Sequence, residues 1–394
     1  MRTNYPLSTN SWGAEEREAM MRVFDSGRST AGPEVEAFER EFADHVGTEY
    51  AVLVNSGGSA NLLMVAVLVA TGRLRAGDRI AVPANSWSTT YWPLVQHGLV
   101  PILVDIDKSY NIDVDQVRQL SYTSNLRAVL AVNLLGVPAN LPDLHDLCVR
   151  HGWLLIEDNC ESFGASIAGR QCGTWGALGT FSTFFSHHLN TGEGGVVVTG
   201  DKVIAEALRS MRAHGWSREL GRDHPYFQSI GEFHDPFTFV LPGYSMRPTE
   251  FIGAVGRVQL RRWKEQHVRR LHNYTIFKNL LSEFVASQEP HKSSESTWFG
   301  FGFTVSDRDI LAKSLARAGV AVRPIVGGNF AAQPIAGDLI GQGKMEVFGK
   351  LTNCTRNHFN GMFIGNDDRN LEEQLNIVRD VVKAHYSGMG ARVA

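Results

Sequence analysis

Three short segments carry side chains that can do chemistry together. Ser182-Thr-Phe-Phe-Ser-His187-His188-Leu-Asn-Thr-Gly192-Glu-Gly-Gly195 sets a hydroxyl, two imidazoles and a glycine run in one stretch. Imidazole moves protons near neutral pH. Leu154-Leu-Ile-Glu-Asp158 is an apolar run that ends in two acids. A carboxylate at the end of a buried strand can pair with a pyridinium nitrogen and keep it protonated, so that the ring accepts electrons; an Asp there can equally cap the next helix. Asn55-Ser-Gly-Gly-Ser-Ala60 follows an apolar run and precedes another. Backbone N–H groups in such a turn can hold a phosphate and glycine allows close approach, although a small-residue turn by itself is often only a turn.

The elements around these segments must place them on one face. Pro33, then Val35, Phe38 and Phe42 at helical spacing, then Gly47, predict an amphipathic helix with both of its punctuation marks. Short apolar runs at 51–54, 80–82, 101–104, 128–132 and 153–156 alternate with helical stretches. Continuous apolar strands of this length, each followed by a helix, are what a sheet covered on both faces produces. The expectation is a mainly parallel α/β domain with ligands beyond the carboxyl ends of its strands. After Gly243 the pattern changes to a long helix, about 249–279, whose Arg261, Arg262, Lys264, Arg269 and Arg270 read as a solvated face. A strand at 301–305 and a helix at 309–318 then predict a smaller α+β domain, so the chain divides into residues 1–260 and 261–394.

Bulk properties exclude several classes. The 394 residues, 43% hydrophobic, bury a large core, and a net charge of −3 with interspersed signs offers no basic stripe for nucleic acid. No run approaches the roughly twenty apolar residues that cross a bilayer, and the opening Met1-Arg-Thr-Asn-Tyr-Pro-Leu lacks a signal-peptide core, so neither a membrane partner nor export is expected and the reading is cytoplasmic. Cys148, Cys160, Cys172 and Cys354 form no Cys-x-x-Cys pair and read as reduced thiols with no metal site.

The third segment resembles the signature of the DegT/DnrJ/EryC1/StrS family of sugar aminotransferases, which has a serine, a lysine five residues later and Gly-Glu-Gly-Gly five residues after that. Ser182 and the run from Gly192 match, which puts His187 at the lysine position. Lysine holds pyridoxal phosphate covalently and returns an amine to the product, whereas imidazole forms no Schiff base. The first lysines in the chain are Lys108 and Lys202, so the segment offers no substitute amine. The exchange is similar to that in the nucleotide-sugar 3-dehydratases of the family, as are Tyr5-Pro-Leu, Trp12, Gly243-Tyr-Ser-Met-Arg-Pro-Thr-Glu-Phe251, Arg323-Pro-Ile-Val-Gly-Gly-Asn-Phe330 and Asn360-Gly-Met-Phe-Ile-Gly-Asn366.

The resemblance implies the fold type I aminotransferase architecture and a non-covalent pyridoxamine or pyridoxal 5′-phosphate. It further implies loss of the C3 hydroxyl from a GDP-linked 4-keto-6-deoxyhexose, with L-glutamate restoring the amine. By position, His187 is the base, Gly57, Gly58 and Ser182 hold the phosphate, Trp87 stacks on the ring, Asp158 pairs with its nitrogen and Glu161 lies near its hydroxyl. His214 and Arg218 reach the adjacent subunit's site in a homodimer and take donor carboxylates, while Arg323 and Asn329 are candidates for the sugar nucleotide. The family commonly has Asn in the segment that crosses to a partner's phosphate, where this chain has Ser245. Dehydratases with a two-iron two-sulfur cluster need closely spaced cysteines, so the route implied here is iron-independent. His188 has no assigned role. A sugar aminotransferase that recruits another amine, or a silent binder of cofactor or sugar nucleotide, also fits these residues.

Overall fold

In the computed structural model, residues 4–121 and 125–390 are described, with side chains up to Ser387; Met1–Thr3 of the opening segment lie outside them. The apolar runs become strands β1 (Tyr50–Val54), β2 (Arg79–Pro83), β3 (Val100–Val104), β4 (Leu126–Val132), β5 (Leu154–Asp158), β6 (Leu178–Ser182) and β7 (Gly195–Thr199). Together with Glu346–Val347 they form one sheet in the order β1-β7-β6-β5-β4-β2-β3 and then the Glu346–Val347 edge. All the pairings from β6 to that edge are parallel, and β7 alone runs antiparallel between β1 and β6. The start of β7 therefore lies at the same rim as the carboxyl ends of the others.

Helices cover both faces, which is why the strands are apolar throughout. α1 (Ala14–Ser26) and α2 (Pro33–Val46) lie on one side; α2 has Pro at its first turn and ends at Gly47 in the left-handed conformation, φ 80°. Gly32 before α2 has no side chain to cap it. The Glu250 carboxylate does so from outside, accepting from the N–H groups of Gly32, Glu34 and Val35 at 2.7, 2.9 and 3.0 Å. α3 (Gly57–Ala70) is buried nearly all round and packs with α4 (Ser88–Gln96) and α5 (Lys202–Arg212) over the sheet.

The last third builds a small antiparallel sheet in which β8 (Gly300–Thr304) lies between Ala286–Ser287 and β9 (Gly361–Gly365). Phe277, Phe301, Phe303, Leu311 and Val378 fill its core against α7 (Arg308–Arg317) and α8 (Glu372–Gly390). Residue 260 falls inside one helix, α6 (Glu250–Leu281), and two segments cross between the parts. The buried Tyr5 joins the small core through its hydroxyl, 2.6 Å from the Gly365 carbonyl, and Glu346–Val347 returns to the large sheet beside β3.

On α6, Arg261, Lys264 and Arg269 are exposed and Arg262 pairs with Glu16 at 2.8 Å, but the solvated face does not extend to Arg270. Arg270 is only 6% exposed and its Nη1 donates to the Asn366 carbonyl at 2.7 Å. Helical phase explains the difference: Trp263, Gln266, Arg270, Asn273 and Phe277 recur at three- and four-residue steps and form the buried stripe. No helix among the described residues is long and apolar enough to cross a membrane.

Candidate active site

The carboxyl ends of β1, β2, β4, β5 and β6 surround a cavity of about 360 Å³, a size suited to a small cofactor. At its floor, Asp158 ends β5 with its carboxylate fully engaged. Oδ2 accepts from Asn61 Nδ2 at 2.8 Å and Thr90 Oγ1 at 2.9 Å, and Oδ1 accepts from the Cys160 N–H at 3.2 Å. Asn61 is held in turn by Thr180, whose hydroxyl donates to Asn61 Oδ1 at 2.5 Å. Three donors thus orient the carboxylate, and an aromatic nitrogen base can meet it from the open side of the cavity. No helix directly follows Asp158, so it does not serve as a helix cap.

The phosphate seat comes from Ser56 and the first turn of α3. Ser56 caps that helix, its Oγ accepting from the Ser59 N–H at 3.0 Å, and Gly57 and Gly58 line the cavity at the positive end of the helix. Gly57 is required by a close approach, since a Cβ there would lie 2.5 Å from Ser182 Cβ. Gly195 explains the glycine run: it pairs with Val54 on one side and Ser182 on the other, and a side chain on it would meet the Ser56 carbonyl. Glycine at the start of β7 thereby brings Ser182 beside the α3 turn.

His187 stands on the wall of this cavity. Its Nδ1 lies 2.5 Å from the Cys160 carbonyl oxygen, which can only accept, so Nδ1 carries the proton and Nε2 is the lone-pair nitrogen. Burial pushes the imidazole down to about 4, with Arg270's charge in the same direction and the Cys160 carbonyl and Asp158 opposing. The ring is accordingly neutral at pH 7 and Nε2 is a base. The Phe299 ring holds it edge-on at 5.1 Å. Phe299 follows Trp298, kept at φ 49° with its carbonyl accepting from Asn366 Nδ2 at 2.8 Å and Arg270 Nη1 at 3.4 Å.

Glu161 lines the same cavity and accepts the Leu135 N–H at 2.9 Å. Enclosure raises its carboxyl to about 7, only partly offset by that N–H, and the nearby Asp158 charge raises it further. His188 points away from the cofactor cavity. It is buried, 5.4 Å edge-on to Trp263 and 5.9 Å from Phe299, and burial holds it well below the ordinary histidine range.

Trp87 and Arg323 also line the cavity, and Trp87 is 58% exposed, which excludes a buried structural tryptophan. Asn329 does not join them: its Oδ1 accepts from the Ala331 N–H and its Nδ2 donates to Thr355, both at 3.1 Å, so the side chain caps its own turn and ties it to the helix at Thr352–Asn360. His214, Arg218 and Ser245 lie outside the cavity of their own chain. Asn61, Thr90 and Phe299 are site residues that the motifs do not reveal. Asn61 had a signal, a lone amide opening a run of apolar residues on a buried helix; Thr90 and Phe299 had none.

A phosphate-binding helix terminus, an acid at the cavity floor and a neutral imidazole on the wall, with no lysine among the lining residues, define a site for a phosphorylated pyridine cofactor held without a covalent bond. The chain belongs to the DegT/DnrJ/EryC1/StrS aminotransferase family, whose model matches residues 10–347. A GDP-4-keto-6-deoxy-D-mannose 3-dehydratase of Yersinia pseudotuberculosis is 40% identical over 390 residues, 96% of this chain and 98% of that one. The crystal structure of GDP-4-keto-6-deoxymannose-3-dehydratase with a trapped PLP-glutamate geminal diamine matches with a TM-score of 0.91 at 39% identity, covering 96% of this chain and 100% of that one. The Escherichia coli GDP-4-keto-6-deoxy-D-mannose-3-dehydratase with bound hydrated PLP matches at 0.92 and 39% identity, covering 97% and 100%. The fold is that of the PLP-dependent aminotransferases, as the alternation of strands and helices implied.

Proposed function

We propose that this chain removes the C3 hydroxyl of a GDP-linked 4-keto-6-deoxyhexose, with non-covalent pyridoxamine 5′-phosphate as cofactor and L-glutamate as the donor that restores it. The observation that carries the reading is His187, neutral and with Nε2 free to accept, on a wall where the family's aminotransferases have lysine. When bound, the cofactor supplies an amine for the sugar ketone and a ring that accepts the electron pair freed by proton removal.

The α3 N-terminus and the Ser182 hydroxyl would hold its phosphate, and Asp158, oriented by Asn61 and Thr90, would hold a proton on the ring nitrogen. Nε2 of His187 takes a proton from the carbon bearing the amine and, once charged, gives it to the departing C3 hydroxyl. Of the lining residues, Trp87 would stack on the ring, Glu161 would lie near its hydroxyl and Arg323 would meet the sugar nucleotide. In a homodimer, Ser245 reaches the partner's phosphate seat, and His214 and Arg218 take the donor carboxylates. Residues 1–260 act as the cofactor-binding part and 261–394 as the part that adds Phe299, Arg323 and Phe363 to the wall. Four free cysteines support a reducing, cytoplasmic setting.

The test is incubation with pyridoxamine phosphate, L-glutamate and GDP-, CDP- and dTDP-4-keto-6-deoxy sugars, read by mass. A 3-deoxy product from the GDP sugar is expected. His187→Asn should lower kcat at least about a thousandfold, the scale of a lost general base, while cofactor absorbance on the protein persists. Turnover retained in that variant, or a reduced lysine adduct after borohydride, overturns the reading.

A further inference from the structure

Behind the loop that carries His187 lies a second, far smaller cavity of about 20 Å³, which His187 and Ser186 share with the cofactor pocket. Three buried polar atoms on residues of its wall have no partner in the protein: Arg270 Nε, His188 Nδ1 and Gln266 Oε1. The first is a donor and the third an acceptor. His188 Nε2 lies 3.4 Å from the Thr297 carbonyl, which only accepts, so Nε2 carries the ring proton and Nδ1 presents a lone pair. The residues that carry this donor and these two acceptors all line a space of about one solvent sphere.

That set selects its occupant. A cation would meet the Arg270 guanidinium and its N–H. An anion would meet two lone pairs and the carboxylates of Asp367 and Asp368, which also line the cavity. A water molecule accepts from Arg270 and donates to His188 and Gln266, and the space is large enough for one. The His188 ring packs on Trp263 and Phe299 and Nε2 holds the Thr297 carbonyl. The Asn190 N–H donates to Gln259 Oε1 of α6 at 3.2 Å, and a water on Nδ1 would add a second polar link between this loop and α6, next to His187.

We propose that Arg270, His188 and Gln266 hold one internal water, and that through it His188 is a positioning residue, fastening the catalytic loop to α6 so that Nε2 of His187 keeps its aim. The catalytic half rests on the dehydratase reading; the hydration site does not. A high-resolution crystal structure of the unaltered chain should show a solvent peak within hydrogen-bond distance of all three atoms, and an empty cavity there overturns the proposal whatever the protein's activity. For the catalytic half, His188→Phe keeps the ring packing and Gln266→Met keeps the volume, while each removes one ligand. Each should lower kcat about fivefold, the worth of one neutral hydrogen bond, with KM for the sugar unchanged. Because both act through the same molecule, the double variant should be no slower than the slower single one. Losses that multiply, or that fall on KM, sink the positioning role.

Discussion

The carboxyl-end rim of the large sheet and the segment from His214 to Ser245 both carry polar groups suited to anionic ligands, but they hold them differently. On the rim each group is fixed by hydrogen bonds within its own chain: three donors on Asp158, a carbonyl on His187, an N–H on Glu161. In the segment, His214 sits at φ 67° against the Trp216 ring at 4.8 Å, and the Arg218 guanidinium lies 3.5 Å over that ring with Glu219 at 3.8 Å. Ser245 is exposed, and Phe233, Phe237 and Phe239 stand 84, 66 and 62% exposed nearby. One region is complete within a single chain. The other is oriented but faces nothing of its own chain's cavity, which supports the homodimer proposed above and teaches that binding groups and catalytic groups can be assigned to different copies.

After His187→Asn, the sharpest blow to the first region is Asp158→Asn. It keeps the shape and removes the charge, and kcat should fall about 100-fold, the scale of ~3 kcal/mol for a charge-assisted hydrogen bond in a dry site. Circular dichroism should stay unchanged; near-normal turnover would show that the rim does not act through this carboxylate. Arg218→Met tests the second region and should raise KM for L-glutamate about tenfold while leaving KM for the sugar alone. Mixing that variant with His187→Asn and allowing subunit exchange should restore on the order of a quarter of the activity at low glutamate, as random pairing of shared sites requires. No recovery would break the comparison.

Glu161→Gln gives the smallest effect. The folded carboxyl titrates at about 7, above its unfolded value, so the folded chain retains a proton that the unfolded chain gives up. Its contribution is full at low pH and is lost as pH rises toward 7. The variant should therefore unfold a few degrees higher than the natural chain at pH 8 and equally at pH 4.5; a difference that grows toward acid would reverse the assigned sign.

Asp158, Ser182 and His187 were legible because each is named by a local pattern: an apolar strand ending in acid, and a fixed spacing to the glycine run. Pro33 and Gly47 marked α2 for the same reason, since both act on the backbone beside them. What escaped depends on distance in the chain. Thr90 reaches Asp158 across 68 residues and nothing near it announces that bond; Asn61 stands out as a lone amide in an apolar run, but its partner lies 97 residues away. Arg270 misled because charge suggests solvent, while only the packing of α6 shows which side of the helix is covered. Asn329, a candidate for the sugar nucleotide by resemblance, has its amide engaged by the Ala331 N–H and the Thr355 hydroxyl instead.

The single helix α6 also decides where this molecule can be cut. Residue 260 lies within a hydrogen-bonded rod about 48 Å long, by its 32 residues, and its buried stripe touches both cores. A protease should leave that bond intact and nick the exposed stretch near 228–236 first. Expression of the two parts as separate polypeptides should fail for the same reason, each fragment left with half a rod and an uncovered core.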